Sequence, residues 1–318
     1  MKKKPLIILT GPTAVGKTAL SIGLAKALDG EIISADSMQV YRGMDIGTAK
    51  ISPDQMQGIP HHLIDILEPW EEFHVADFQR YCKEAMADIY ARGKCPIIVG
   101  GTGFYIQSVL YDIDFSQTEA DTAFREEMER LAGEEGAAAL HERLRAVDEA
   151  SAQAIHPNNV KRVIRALEYY RQTGERMSEH NQAQQGKASP YRFRYYVLRL
   201  PREILYQRIN ERVDDMERAG LTGEVERLLA RGCHRKMVSM QGLGYKEIID
   251  ALEGRDTLEH AYERIKQETR HFAKRQFTWF RREREVTWID KDQFRDEGEL
   301  LDYCVKDCRN IFSALGKE

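Results

Sequence analysis

Leu6-Ile7-Ile8-Leu9-Thr10-Gly11-Pro12-Thr13-Ala14-Val15-Gly16-Lys17-Thr18 decides the fold. Leu6 to Thr10 is short, apolar and rich in β-branched residues, as a parallel strand buried on both faces must be. Lys17 to Leu28 reads as a helix closed at Asp29-Gly30. The loop between them, Gly11-x4-Gly16-Lys17-Thr18, satisfies the phosphate-binding P-loop pattern in full. Its glycines let successive backbone N–H groups curl around a polyphosphate, and the helix N-terminus adds a favourable dipole. Lys17 brings a point charge, and the Thr18 hydroxyl can ligate Mg²⁺. The motif names a ligand class, a polyphosphate, without naming a reaction.

Outward from this loop the chain alternates. Glu31 to Ala35 is a second buried strand that delivers Asp36 at its end. Residues 77–92 form a helix with Phe78, Tyr81, Cys82, Ala85 and Ile89 on one face, and Pro96 to Val99 a third strand entering Gly100-Gly101-Thr102-Gly103. Tyr195 to Leu200 and Val286 to Ile289 supply a fourth and a fifth. Strands alternating with helices imply an α/β fold, a P-loop NTPase-like doubly wound parallel sheet. Residues 116–186 break the rhythm with helices alone, giving an all-helical insertion domain on a core of 1–115 plus 187–318. Gln182 to Ser189 is expected as the return linker.

Net charge is −4, so attraction to nucleic acid must come from local basic patches. Three stand out. They are Lys161, Arg162 and Arg165 in the insertion, Arg199 to Arg212 with Arg202 and Arg208, and the segment from Arg264 to Arg284. In the last, Lys266, Arg270, Lys274, Arg275, Arg281 and Arg282 surround an apolar stripe of Tyr262, Ile265, Phe272 and Phe280. Five scattered cysteines suit a reducing compartment, and Cys304 and Cys308 share a helical stripe with Leu301, Phe312 and Leu315 that reads as core packing. No segment is long enough to span a bilayer, and the expected location is the cytoplasm.

Asp36 is the sharpest single residue. Ligands of open α/β sheets sit beyond the carboxyl ends of the strands, so Asp36 belongs near the phosphate loop and could accept a substrate proton. Ser34-Ala35-Asp36-Ser37 is equally a run of capping residues, and an Asx-turn explains it as well. Both readings stay open on the residues alone. The third strand ends without the acid that nucleotide hydrolases use to hold Mg²⁺, which favours a small-molecule transferase. His61-His62-x-x-Asp65 lacks a further partner at metal spacing and reads as local hydrogen bonding. Trp70, Phe73, Phe78 and Phe104 read as core aromatics.

The P-loop, the block Ser34 to Lys50 (SADSMQVYRGMDIGTAK) and His61-His62-Leu63-Ile64-Asp65 together closely resemble the tRNA dimethylallyltransferases. Gly100-Gly101-Thr102-Gly103, His156-Pro157-Asn158 with Arg162 and Arg165, and Gln241-Gly242-Leu243-Gly244-Tyr245-Lys246 extend the likeness over roughly residues 5–285. The resemblance implies dimethylallyl transfer from dimethylallyl pyrophosphate to the exocyclic amine of the adenosine 3′ of the anticodon, tRNA position 37. It implies that Gly11, Pro12, Thr13, Ala14, Val15, Gly16, Lys17 and Thr18 hold the pyrophosphate, with Mg²⁺ on Thr18. Asp36 would orient the adenine amine and take its proton, and Arg208 would neutralise the leaving group by analogy with lid arginines of P-loop kinases. Expected contacts to the tRNA anticodon stem-loop are Asp36, Ser37, Met38, Gln39, Thr102, Lys161, Arg162, Arg165, Gln241, Gly242, Gly244 and Lys246. A monomer without the C-terminal zinc finger of eukaryotic relatives is expected. The competing readings are an adenylate isopentenyltransferase, a small-molecule P-loop kinase and a non-catalytic RNA-binding P-loop protein.

Overall fold

The computed structural model describes residues 3–115 and 121–313. The chain order is β1 (Lys4–Thr10), α1 (Lys17–Ala27), β2 (Gly30–Ala35), α2 (Pro53–Met56), β3 (His61–His62), α3 (Val75–Ala91), β4 (Cys95–Gly100) and α4 (Gly103–Leu110). Then follow α5 (Thr122–Glu134), α6 (Ala137–Val147), α7 (Glu149–Ala154), α8 (Val160–Thr173) and α9 (Met177–Gln185). The rest is β5 (Tyr191–Arg199), α10 (Arg202–Arg218), α11 (Leu221–Ala230), α12 (Tyr245–Leu252), α13 (Leu258–Phe280), β6 (Val286–Asp290) and α14 (Glu297–Ser313).

Contacts divide the chain into two compact units, residues 1–110 with 190–318, and 111–189. The first contains a six-stranded sheet in the order β3-β2-β4-β1-β5-β6, every pair parallel. Ile7, Leu9, Tyr196 and Leu198 pack with Leu20, Leu24, Leu300 and Cys304, so α1 and α14 cover one face. Their neighbours Leu6, Ile8, Tyr195 and Val197 are just as buried and point the other way, as strand period two requires. A sheet covered on both faces is why these strands read as continuous apolar runs.

Five strands were expected and six form. The extra one, β3, has two residues and hydrogen-bonds to the edge of β2, which is too short for any periodic signal. β5 starts at Tyr191, earlier than Tyr195, and α9 occupies much of the stretch expected as linker. Cys304 and Cys308 are buried in the core, as the stripe suggested. Leu315 and the side chain of Phe312 lie outside the described residues. Phe73 and Phe78 are buried, whereas Trp70 and Phe104 are exposed.

The unit 111–189 has its own core of Phe124, Met128, Leu140, Leu144, Val163 and Ile164. Two buried acids organise it. Glu168 accepts from Arg125 Nε at 2.8 Å, Arg165 Nη1 at 2.7 Å and the Asp121 amide at 2.9 Å. Asp148 receives the hydroxyls of Ser151 and Ser178 at 2.6 and 2.7 Å, joining α7 to α9.

One buried carboxylate arranges the long loop after β2. Glu224 of α11 accepts the amides of Asp45, Ile46 and Gly47 at 2.9, 2.7 and 3.1 Å, and the Tyr245 hydroxyl at 2.7 Å. Lys50 closes the other side, donating to Tyr41 O, Asp45 Oδ1 and Asp65 Oδ1 at 2.7, 2.7 and 2.6 Å. Truncating Glu224 would leave three part-buried amides without their acceptor. Glu224→Ala should therefore lower the unfolding free energy by about 3 kcal/mol, and Tyr245→Phe by about 1, in denaturant titrations. Equal, small effects would mean that Glu224 does not order this loop.

Candidate functional site

The C-terminal ends of β1, β2 and β4 converge because these strands are adjacent and parallel. Ala35 pairs with Gly100 in register, and a Cβ at Gly100 would overlap the Ala35 carbonyl, so only glycine fits there. The Thr102 amide donates to Ala35 O at 3.3 Å. Asp36 and Thr102 thus sit side by side, Thr102 one strand and Asp36 two strands from the loop that follows Thr10.

That loop has the backbone of an anion nest. Gly11, Ala14 and Gly16 have φ of 142°, 64° and 92°. Gly16 caps α1 in the left-handed conformation and no side chain caps the helix, which leaves its first-turn amides to a bound anion. Lys17 Nζ lies back on the loop, donating to Gly11 O at 2.9 Å and Pro12 O at 2.8 Å. Burial and the charge of Arg212 lower its pKa to about 7, although Asp36 opposes them. Thr18 is exposed in the first turn of α1.

Asp36 Oδ1 accepts the amides of Met38 at 2.9 Å and Gln39 at 3.4 Å. The Asx-turn reading is therefore present, and it fixes the carboxylate without using its second oxygen. Burial pushes the Asp36 carboxyl up, against the Met38 amide, the Lys17 charge and the Gln39 amide. A carboxylate with a raised pKa beside a phosphate loop can orient an acceptor and receive its proton.

The remaining expected residues fall into two groups. Met38 meets Gly242, where a Cβ would lie 2.5 Å from Met38 Cε, and Gly47 meets the ring of Tyr245. Residues 36–39 and 241–246 are therefore one surface. Gln39 is tied to Ser34 Oγ at 3.1 Å, Gln241 to Arg235 O, the Gly244 amide to Glu247 at 2.9 Å and Lys246 to Glu247 at 3.6 Å. Ser37 is half-buried in the same turn. Lys161 and Arg162 are exposed on α8 in the other unit, whereas Arg165 is committed to Glu168.

Arg208 is exposed on α10 with Nη1 3.8 Å from where a Gly16 Cβ would stand, so it reaches the phosphate loop. Three further residues at this loop are not among those expected. Arg212, one turn along, donates to Thr13 Oγ1 at 3.3 Å, and burial lowers its pKa. Gln276 of α13 accepts the Thr13 amide at 3.0 Å and donates to Gly101 O at 3.1 Å, joining the two loops. Lys291, directly after β6, donates to Val15 O at 3.2 Å and to Glu297 at 2.6 Å. Each left a trace in the sequence. Arg212 is four residues from Arg208, Gln276 interrupts the buried stripe of Ala273 and Phe280, and Lys291 ends a strand.

The histidines bond locally. His61 Nδ1 contacts Ile59 O and His62 Nε2 contacts Glu31, both at 2.8 Å. Burial opposes it, yet hydrogen bonds from Arg92, His62 and Lys94 hold the Glu31 carboxyl down at about 2.

The IPP transferase family pattern matches residues 39–283, and that of the isopentenyl transferases residues 4–66. A tRNA dimethylallyltransferase of Lachnoclostridium phytofermentans is 57% identical over 303 residues, 95% of this chain and 97% of its own. That of Geobacillus kaustophilus is 55% identical over 89% of each chain. Among solved structures, the tRNA isopentenylpyrophosphate transferase of Bacillus halodurans superposes with a TM-score of 0.72 at 44% identity, covering 100% of both chains. A eukaryotic dimethylallyltransferase acting on tRNA gives a TM-score of 0.85 at 31% identity, over 98% of this chain and 80% of that one.

A lysine with a pKa of about 7 makes anion binding pH-dependent. Lys17 is charged below pH 7 in the free protein and neutral above it, while bound pyrophosphate favours the charged form. Pyrophosphate affinity should fall on the order of tenfold per pH unit between pH 7 and 9, and Lys17→Arg should flatten that dependence. Titration calorimetry across this range checks it, and parallel profiles for the two proteins would count against Lys17 as the group responsible. Lys291→Met should weaken pyrophosphate binding by about tenfold in the same assay, and Lys291→Arg by less.

Proposed function

The chain belongs to the IPP transferase family, and from that premise we propose that it moves a dimethylallyl group from dimethylallyl pyrophosphate to the exocyclic amine of the adenosine 3′ of the tRNA anticodon, position 37. The observation that carries the reading is Asp36, held by the Met38 and Gln39 amides at the end of β2, within electrostatic reach of Lys17.

In this reaction the amine nitrogen forms a bond to C1 of the dimethylallyl group. The C1–O bond breaks, and its electron pair leaves with pyrophosphate. The nest amides and Lys17 hold the pyrophosphate, and Arg208 and Arg212 add charge where negative charge accumulates. Asp36 accepts the proton that the amine loses. Its raised pKa suits that task, because a weakly acidic carboxylic acid is the conjugate of a stronger base. An adenine amine is a poor nucleophile, so its placement beside Asp36 and Thr102 counts as much as basicity. The target base must leave the loop stack to reach these residues.

Mg²⁺ fits the donor set. It commonly takes one or two protein oxygens and completes its shell with phosphate oxygens and water, and the exposed Thr18 hydroxyl supplies one. Bound there, the ion would neutralise pyrophosphate charge. Residues 36–39 and 241–246 would line the acceptor's path, and Lys161, Arg162 and the 111–189 unit would grip the anticodon stem by its phosphates. Among the described residues no helix is long and apolar enough to cross a membrane. A monomer working in the cytoplasm, where tRNA is found, fits this reading.

The test uses Mg²⁺, radiolabelled dimethylallyl pyrophosphate and unmodified tRNA with adenosine at position 37, and offers AMP in parallel. Label should enter tRNA alone. Label in AMP would point to a free-nucleotide prenyltransferase instead. Asp36→Asn keeps an oxygen for the Met38 and Gln39 amides and removes the base. It should lower kcat on the order of a hundredfold while leaving KM for the prenyl donor nearly unchanged. A large rise in donor KM would place Asp36 on the pyrophosphate rather than the amine.

A further inference from the structure

α13 carries two kinds of basic residue. In its first half Arg264 pairs with Asp256 at 3.1 Å, Lys266 with Asp214 at 2.8 Å, and Arg270 donates to Asn210 at 2.6 Å. Those charges are structural. Lys274, further along, and Arg281, the residue that caps the C-terminus of α13, are exposed and form no ion pair with any of the described residues. Seven residues apart, they lie on one face of the helix, two turns from each other.

That face borders a cleft of ≈ 560 Å³ between α13, the start of α10 and the ends of β5 and β6. No Asp or Glu lines it, although the whole chain carries a net charge of −4. Its walls also hold Arg202, Tyr206, Phe277 and Trp288. Arg202 lies over the Tyr206 ring at 4.9 Å, and Arg199, anchored to Asp290, lies over Trp288 at 5.6 Å. Arg202, Lys274 and Arg281, which form no ion pair among the described residues, and the neighbouring rings are the two halves of nucleotide recognition, charge for phosphate and π surface for a base. The volume falls in the range of small-ligand clefts. None of residues 11–18, Asp36 or Thr102 lines it, so it is separate from the phosphate loop.

We propose that this cleft binds a phosphorylated nucleotide, with the phosphate on Lys274 and Arg281 and the base against Tyr206 or Trp288. The nucleotide is either one residue of an RNA strand or free in solution. The RNA source rests on the tRNA reaction proposed above; the free source does not.

Binding by the full-length protein separates these sources. The proteins compared are wild type, Lys274→Ala/Arg281→Ala, and Lys274→Arg/Arg281→Lys, which restores both charges. Unmodified labelled tRNA is titrated by fluorescence anisotropy over a salt series. AMP and ADP are titrated by calorimetry with the phosphate loop saturated by inorganic pyrophosphate and Mg²⁺. If the source is RNA, the double alanine variant should bind tRNA about tenfold more weakly, with a log–log salt slope shallower by about 0.7, one phosphate's worth. Its pyrophosphate affinity should be unchanged, and the charge-restoring variant should recover tRNA affinity. If the ligand is free, AMP or ADP should bind the saturated wild type and lose that binding in the alanine variant. Wild-type behaviour of the alanine variant in both arms overturns the site and leaves the prenyl transfer intact. Failure of the wild type to bind tRNA sinks the tRNA reading, and the nucleotide arm then decides the cleft alone.

Discussion

A loop that binds an anion through its backbone must hold several N–H groups pointing inward before the anion arrives. Its carbonyls then point outward, and they need partners of their own. The arrangement around Gly11–Thr18 follows from this constraint. Lys17 takes the carbonyls of Gly11 and Pro12, Lys291 takes that of Val15, and Gln276 takes the Thr13 amide. These three partners come from α1, from the residue after β6 and from α13, so the loop is braced by elements far apart in the chain. Lys17 has a double task in the proposed reaction, since the side chain that satisfies the loop carbonyls is also the one proposed to meet pyrophosphate.

The same economy applies to Asp36. An Asx-turn and a catalytic role are usually alternatives, a capped turn being structural and a perturbed carboxylate functional. Here one oxygen does the first and leaves the second oxygen uncommitted. Burial would raise the pKa of an unsupported carboxyl much further. The two amides and Lys17 temper the rise while keeping the group in place. Glu224 and Lys50 extend that rigidity outward by fixing the loop that continues from Asp36 to Asp65.

Much of this was legible in advance because it is local. An apolar β-branched run, a glycine loop and a helix are contiguous, so the strand–loop–helix unit and its ligand class could be read directly. The alternation of buried strands and helices gave the sheet. The two-residue β3 could not be read, because a strand that short has no period and forms only by pairing with the edge of β2. Arg165 shows what local reading leaves out. Its sequence neighbours make it look like a free basic residue, but Glu168, one turn away and buried, holds it.

The sequence by itself determined the phosphate loop, the parallel sheet and Asp36 at a strand end, because each depends on residues within a few positions of one another. Tertiary structure alone decided which side chains complete the site. Arg212, Gln276 and Lys291 reach the loop from 199, 263 and 276 residues away, and no pattern in a linear chain reports such distances. It also decided which basic residues are spent on internal acids and which remain uncompensated, because charge pairing is a property of neighbours in space.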